Sequence, residues 1–330
     1  MAAPLLVLAL AGTLPASAHP IGSLTALPHH VVGHGTPASC TSAAVVRAVA
    51  KGGDITFDCG PRPVVIAMKA TAKVRNTSHR IVINGRGKVT LDGGGKHQIL
   101  YMNTCDQHQV WTTSHCQDQR WPQLLVKNMT FAHGYAATKQ TANSLGGGGA
   151  IFDTGGRLAV TGSHFVGNRC YRVGPDLGGA AIRALEQWKN LPVEITSDTF
   201  RGGRCSNGSA LSSIGVSWLI RDSVMTNNDA IGRGANPASS GTPGGGSGGA
   251  IYTDGNHYTV TIEHTTMRNN VAHEGGGAIF FVSDNNTGTL TIKHSTLTHD
   301  PSEGFWTSPY HSIFYQSAGH PIRVVDSTIN

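Results

Sequence analysis

Short apolar words recur along this chain between turn-rich polar stretches. Gly148-Gly149-Ala150-Ile151, Gly179-Ala180-Ala181-Ile182, Gly248-Gly249-Ala250-Ile251 and Gly276-Gly277-Ala278-Ile279 are the clearest, with weaker copies at Ser209-Ala210-Leu211 and Ser312-Ile313. Each leads into a short strand, a turn and a second alternating strand, such as Leu158-Ala159-Val160, Thr259-Val260-Thr261-Ile262 or Leu290-Thr291-Ile292. A closing word follows: Phe165-Val166-Gly167-Asn168, Met225-Thr226-Asn227-Asn228, Met267-Arg268-Asn269-Asn270, and Leu297-Thr298-His299-Asp300. From Ile151 to Ile313 the spacings are 31, 29, 40, 28 and 34 residues. A self-similar period of this length marks a solenoid. Each period holds about three short strands and no helical pattern, so the coils are those of a parallel β-helix.

The physical basis is stacking. One coil cannot bury its own apolar side chains. Coils stacked at about 4.8 Å align like residues into ladders. Each buried Ile or Val then contributes on the order of 1.5–3 kcal/mol. Paired glycines let the chain enter the strand through left-handed dihedrals. The Asn closing each coil is expected in the left-handed turn, and a stack of such Asn is expected to hydrogen-bond from rung to rung.

Outside the repeats, Ser42 to Lys51 reads as a short amphipathic helix ended by Gly52-Gly53. It is expected to cap the N-terminal end of the solenoid. Strands are expected at Asp54–Phe57, Val64–Met68, Arg80–Asn84, Lys88–Leu91 and Gln123–Phe131. Residues 103–122, with Cys105, Trp111, Cys116 and Trp121, read as a disulfide-closed excursion. Residues 134–147 form another. Ile231 to Gly248, rich in Gly, Ser and Pro, reads as a loop inserted in one coil.

The expected division is a signal peptide at 1–18 and one domain at 19–330, with lead-in and cap at 19–53 and coils at 54–330. An apolar run from Leu5 to Leu14 precedes Ala16-Ser17-Ala18, a small-x-small cleavage pattern. No Lys or Arg precedes that run, which leaves open a misassigned start or a short membrane anchor. The run is short for a bilayer span, and no later segment is apolar enough to be one. Six Cys fit an oxidising, extracellular setting. Sequence order suggests the pairs Cys40–Cys59, Cys105–Cys116 and Cys170–Cys205, although six Cys allow about 15 pairings. Cys170 and Cys205 each lie five residues after a Phe, Phe165 and Phe200. If the rings stack in adjacent coils, the sulfurs come within bonding reach.

Charged residues are only 13% of the chain, against 43 Gly, which disfavours helical bundles. The net charge of +6 favours anionic partners. The cations are scattered and form no nucleic-acid arm, so an acidic polysaccharide is the expected partner and a monomer the expected state.

The Gly-Gly-Ala-Ile and Phe-x-x-Asn words resemble the repeat of chlamydial polymorphic outer-membrane proteins. Leu91-Asp92-Gly93-Gly94-Gly95 followed by Ile99-Leu100 looks like the start of the same module. More broadly, residues 40–330 resemble the pectin-lyase-like superfamily. That resemblance implies an all-β fold, a right-handed parallel β-helix with a short capping helix, and sugar polymers as ligands. The pectate-lyase words Trp-Ile-Asp-His and Arg-x-Pro-x-x-Arg are absent, as are the Asn-Thr-Asp and Asp-Asp words of polygalacturonases. Function therefore rests on fold-level analogy.

Chemistry on such a fold is expected on an outward strand ladder. Aligning coils on Ile151, Ile182, Leu211 and Ile251 puts Arg183 outward, near Asp153 and Glu186, with Tyr252 and Asp254 some coils away. Arg183 as a carboxylate-neutralising cation and Tyr252 as base would suit a lyase on acidic glycan. Asp153 and Glu186 are the first pair to consider for a hydrolase. Asp153, Glu186 and Asp254 are candidate Ca²⁺ ligands. The plain alternative is a non-catalytic surface or adhesion module. In that case Asp153 and Asp254 are turn residues beside Gly, Arg183 pairs with Glu186, and the Phe/Tyr ladder is packing.

Overall fold

The structure is a computed structural model that describes residues 27–110, 113–140, 146–234 and 244–330. The expected signal peptide, Trp111 and the middle of the Gly/Ser/Pro-rich loop lie outside the described residues. The described residues form a 17-stranded, an eight-stranded and a five-stranded sheet. The pairings between strands of successive coils are parallel, the arrangement expected of a β-solenoid. The buried core is continuous from Val32 to Ile313.

The repeat words set the register. Leu100, Ile151, Ile182, Leu211, Ile251, Ile279 and Ile313 pair in turn along the eight-stranded sheet. In the long sheet Phe131, Phe165, Phe200, Met225, Met267, Leu297 and Ile329 pair likewise. The Phe131, Phe165 and Phe200 rings stack with centroids 5.2 and 4.7 Å apart. The first Gly of the words at 148 and 248 adopts φ of +69° and +68°. A Cβ there would strike the carbonyl of Ile151 or Ile251, which leaves glycine as the fitting residue.

Two buried polar ladders hold the corners. The Asn ladder forms as expected: Gly134 N donates to Asn168 Oδ1, Gly203 N to Asn228 Oδ1, Asn228 N to Asn270 Oδ1, and Asn270 N to Asp300 Oδ1. The left-handed residue, however, is the one before each ladder Asn, and before Asp300: Gly167, Asn227, Asn269 and His299. The closing Asn turns inward to meet backbone N–H groups that would otherwise be buried without acceptors. The second ladder has no counterpart in the sequence reading. Met129 N donates to Ser163 Oγ, Ser163 N to Asp198 Oδ1, and Asp198 N to Ser223 Oγ. It continues through Thr265 and Ser295 to Ser327.

The helix occupies Ser42–Lys51, with Thr41 Oγ1 accepting from Ala44 N and Gly52 ending it at φ +72°. It packs against the strands His29–Val32 and Ala72–Lys73, burying Val45 and Val49. The two strands expected at 80–84 and 88–91 are one, Arg80–Asp92, with its register broken between Asn84 and Val89. All three expected disulfides form, with Cα separations of 5.7, 5.0 and 4.7 Å.

Candidate functional site

Strand alternation decides where the expected catalytic residues go. Asp153 pairs with Ala184, on the same inward row as Ser213, Thr253 and Phe281. Arg183 pairs with Phe152 and Ser212 on the outward row. The expected Arg183–Asp153 neighbourhood therefore does not form, because the two side chains leave opposite faces of the sheet. Asp153 is fully buried. Gln187 Nε2 donates to its Oδ2 at 2.6 Å, and burial raises its pKa far above the carboxylate range.

Arg183 faces outward yet is also fully buried. Its guanidinium donates to Ser212 Oγ and to the carbonyl of Asp176. Burial lowers its pKa to about 10, which still leaves it charged at neutral pH. The segment 171–177 lies over it like a strap. Asn207 Nδ2 donates to the carbonyls of Gly174, Pro175 and Leu177 and fixes that segment. Tyr252 is 5% exposed and donates to Asp254 Oδ2 at 3.1 Å. Burial and then the Asp254 charge push its phenol well above 10, so it stays protonated at neutral pH and is not available as a base. The carboxyl of Asp254 is raised by desolvation and then by Asp284.

The sequence placed Tyr252 and Asp254 coils away from Arg183. The register bears this out, with Tyr252 two rungs from Arg183 across Ser212, and at that distance both still act electrostatically on the buried guanidinium. Glu186 stands apart at φ +60°, its pKa raised by desolvation and then by Asp118. The three candidate Ca²⁺ ligands thus occupy three different surroundings. Among the described residues no group of three or more His, Cys, Asp and Glu is placed to hold a metal ion.

A different cluster is open to solvent. It lies where chain enters the long sheet, just before Arg80, Gln123 and Val193. His79 and Trp121 stack with centroids 4.5 Å apart and planes at 12°. Arg120 lies 5.3 Å from the Trp121 ring and 5.5 Å from the Trp188 ring, and Lys189 lies 5.1 Å from the latter. Asp118 Oδ1 accepts from Lys189 N at 2.7 Å and joins the excursion to the turn Trp188–Asn190. Beside them a pocket of about 310 Å³ is lined by Asn76, Thr77, His79, Thr113, Gln119 and Trp121. Trp121 is 39% exposed. Asn76 donates to Thr104 O at 3.0 Å, while its buried Oδ1 has no partner among the described residues.

Sequence reasoning took residues 103–122 for a loop and passed over Trp188. The available signal was an insert at 103–122 that holds two Cys and carries Trp, Arg and Gln. No protein-family model, curated protein or solved structure matches this chain.

Proposed function

We propose that this protein is a right-handed parallel β-helix of pectin-lyase-like kind that works outside the cell and binds acidic polysaccharide. The right-handed sense rests on the strong bias of parallel crossover connections. Work outside the cell is supported by three disulfides. The observation that carries the binding reading is the row His79–Trp121–Arg120–Trp188–Lys189 beside the 310 Å³ pocket. Aromatic faces pack on the apolar faces of sugar rings, and amides meet hydroxyls. Arg120, Lys189 and the net charge of +6 favour carboxylate- or sulfate-bearing polymers.

Binding without cleavage is the reading favoured. A lyase built on Arg183 and Tyr252 would need both groups to reach a sugar, and both are buried. The test is affinity electrophoresis and calorimetry with polyuronates and neutral glucans, alongside ultraviolet detection of unsaturated products. Polyuronate binding without such products is expected. Trp121→Ala and Trp188→Ala should each weaken it about tenfold, or roughly 1–2 kcal/mol. Unchanged affinity in the double variant, or equal affinity for neutral glucans, would remove the assignment.

A further inference from the structure

A second pocket lies near the N-terminal end, where the strand Arg80–Asp92 loses register. Between Asn84 and Val89 it carries the four residues Gly85-Arg86-Gly87-Lys88, whereas the neighbouring strand turns the same corner with one, Asn128, between Lys127 and Met129. The extra chain raises Arg86 and Lys88 beside the turn that follows Cys59. That turn is fixed by the Cys40–Cys59 disulfide and presents Arg62. The resulting pocket of about 190 Å³ is lined by Asp58, Arg62, Arg86 and Lys88, with Phe57 and Val64 among its apolar walls.

Three cations face one carboxylate there. Lys88 Nζ is held by the carbonyl of Pro61 at 3.1 Å. Among the described ion pairs none involves Arg62, Arg86 or Asp58. The volume falls below the range of about 300–1,000 Å³ usual for organic ligands. It suits a compact charged group better than a sugar ring. Guanidinium forks match the geometry of tetrahedral oxyanions.

We infer that this pocket binds a tetrahedral oxyanion of phosphate or sulfate type. The anion is either a free ion or a charged group on a polymer, and its site is separate from the aromatic row. The inference does not depend on the glycan assignment, since the two sites share no residue.

The probes are inorganic phosphate, inorganic sulfate and a soluble polyphosphodiester, titrated by calorimetry into the full chain at low ionic strength, with sodium acetate as the monovalent control. Phosphate and sulfate are expected to bind at least tenfold more tightly than acetate. Arg62→Ala and Arg86→Ala should each weaken binding about tenfold, and the double variant should abolish it. Trp121→Ala should leave it unchanged. Tighter binding of the polymer per phosphate would identify a polymer-borne group as the source, and equal or weaker binding would identify the free ion. Acetate binding as tightly as phosphate, or wild-type phosphate affinity in the folded double variant, would overturn the inference.

Discussion

Phe165→Ala is expected to destabilise the protein by about 3–5 kcal/mol, read as a lowered urea midpoint. Phe165 is 1% exposed and sits between two other rings, Phe131 at 5.2 Å and Phe200 at 4.7 Å. Truncation leaves a void walled by two aromatic faces, each fixed by its own strand pairing, so the site cannot collapse to fill it. Val166, the next residue, points outward and is 38% exposed. Val166→Ala should therefore change stability by no more than about 0.5 kcal/mol. Similar losses from the two substitutions would mean that the ring column is not what holds this part of the core.

The second large effect is a pH dependence. Asp198 occupies the corner ladder where other coils have Ser or Thr. It is fully buried, and it accepts from Ser163 N at 2.6 Å and Thr196 N at 3.0 Å. Burial pushes its pKa up to about 7, against the pull of those two N–H groups. In the unfolded chain the group titrates near 3.9. Between these values the folded state holds a proton that the unfolded state has released, so stability falls as pH rises. The loss is largely complete above pH 7 and amounts to about 4 kcal/mol.

Asp198→Ser should remove that dependence. Serine offers Ser163 N an oxygen and can donate to the carbonyl two residues back, as Ser223 does to Arg221. Urea midpoints at pH 4, 6 and 8 check this. The wild type should lose about 3–4 kcal/mol more than the variant across that range. Parallel curves would show that Asp198 is ionised at no cost. Asp300, raised to about 6 chiefly by burial, acts in the same direction, so the difference between the two proteins isolates Asp198.

These two residues also mark where the sequence was legible. Phe165 lies in a word that recurs coil after coil, and recurrence gave register, the Cys170–Cys205 bond and the Asn ladder. Asp198 breaks a pattern carried by a single Ser or Thr per coil, too faint to read among so many polar turn residues. Arg183 was placed on the outward face as expected, but its cover comes from 171–177, a stretch that does not repeat. Asp153 was misplaced for a simpler reason: two residues past an inward Ile is inward again. The aromatic row was hidden because Trp121 and Trp188 lie 67 residues apart in excursions outside the repeat.

The corner ladders have a direction. In each link the backbone N–H belongs to the earlier coil and the side-chain oxygen to the later one, from Met129 through Ser295 and from Gly134 through Asn270. A chain emerging from the ribosome therefore leaves its newest corners short of an acceptor until synthesis delivers the next turn. Completed turns are sealed while the growing tip stays unsatisfied. Each turn is thus secured by its successor, and a chain cut short at any coil is expected to leave that coil's corner N–H groups without acceptors.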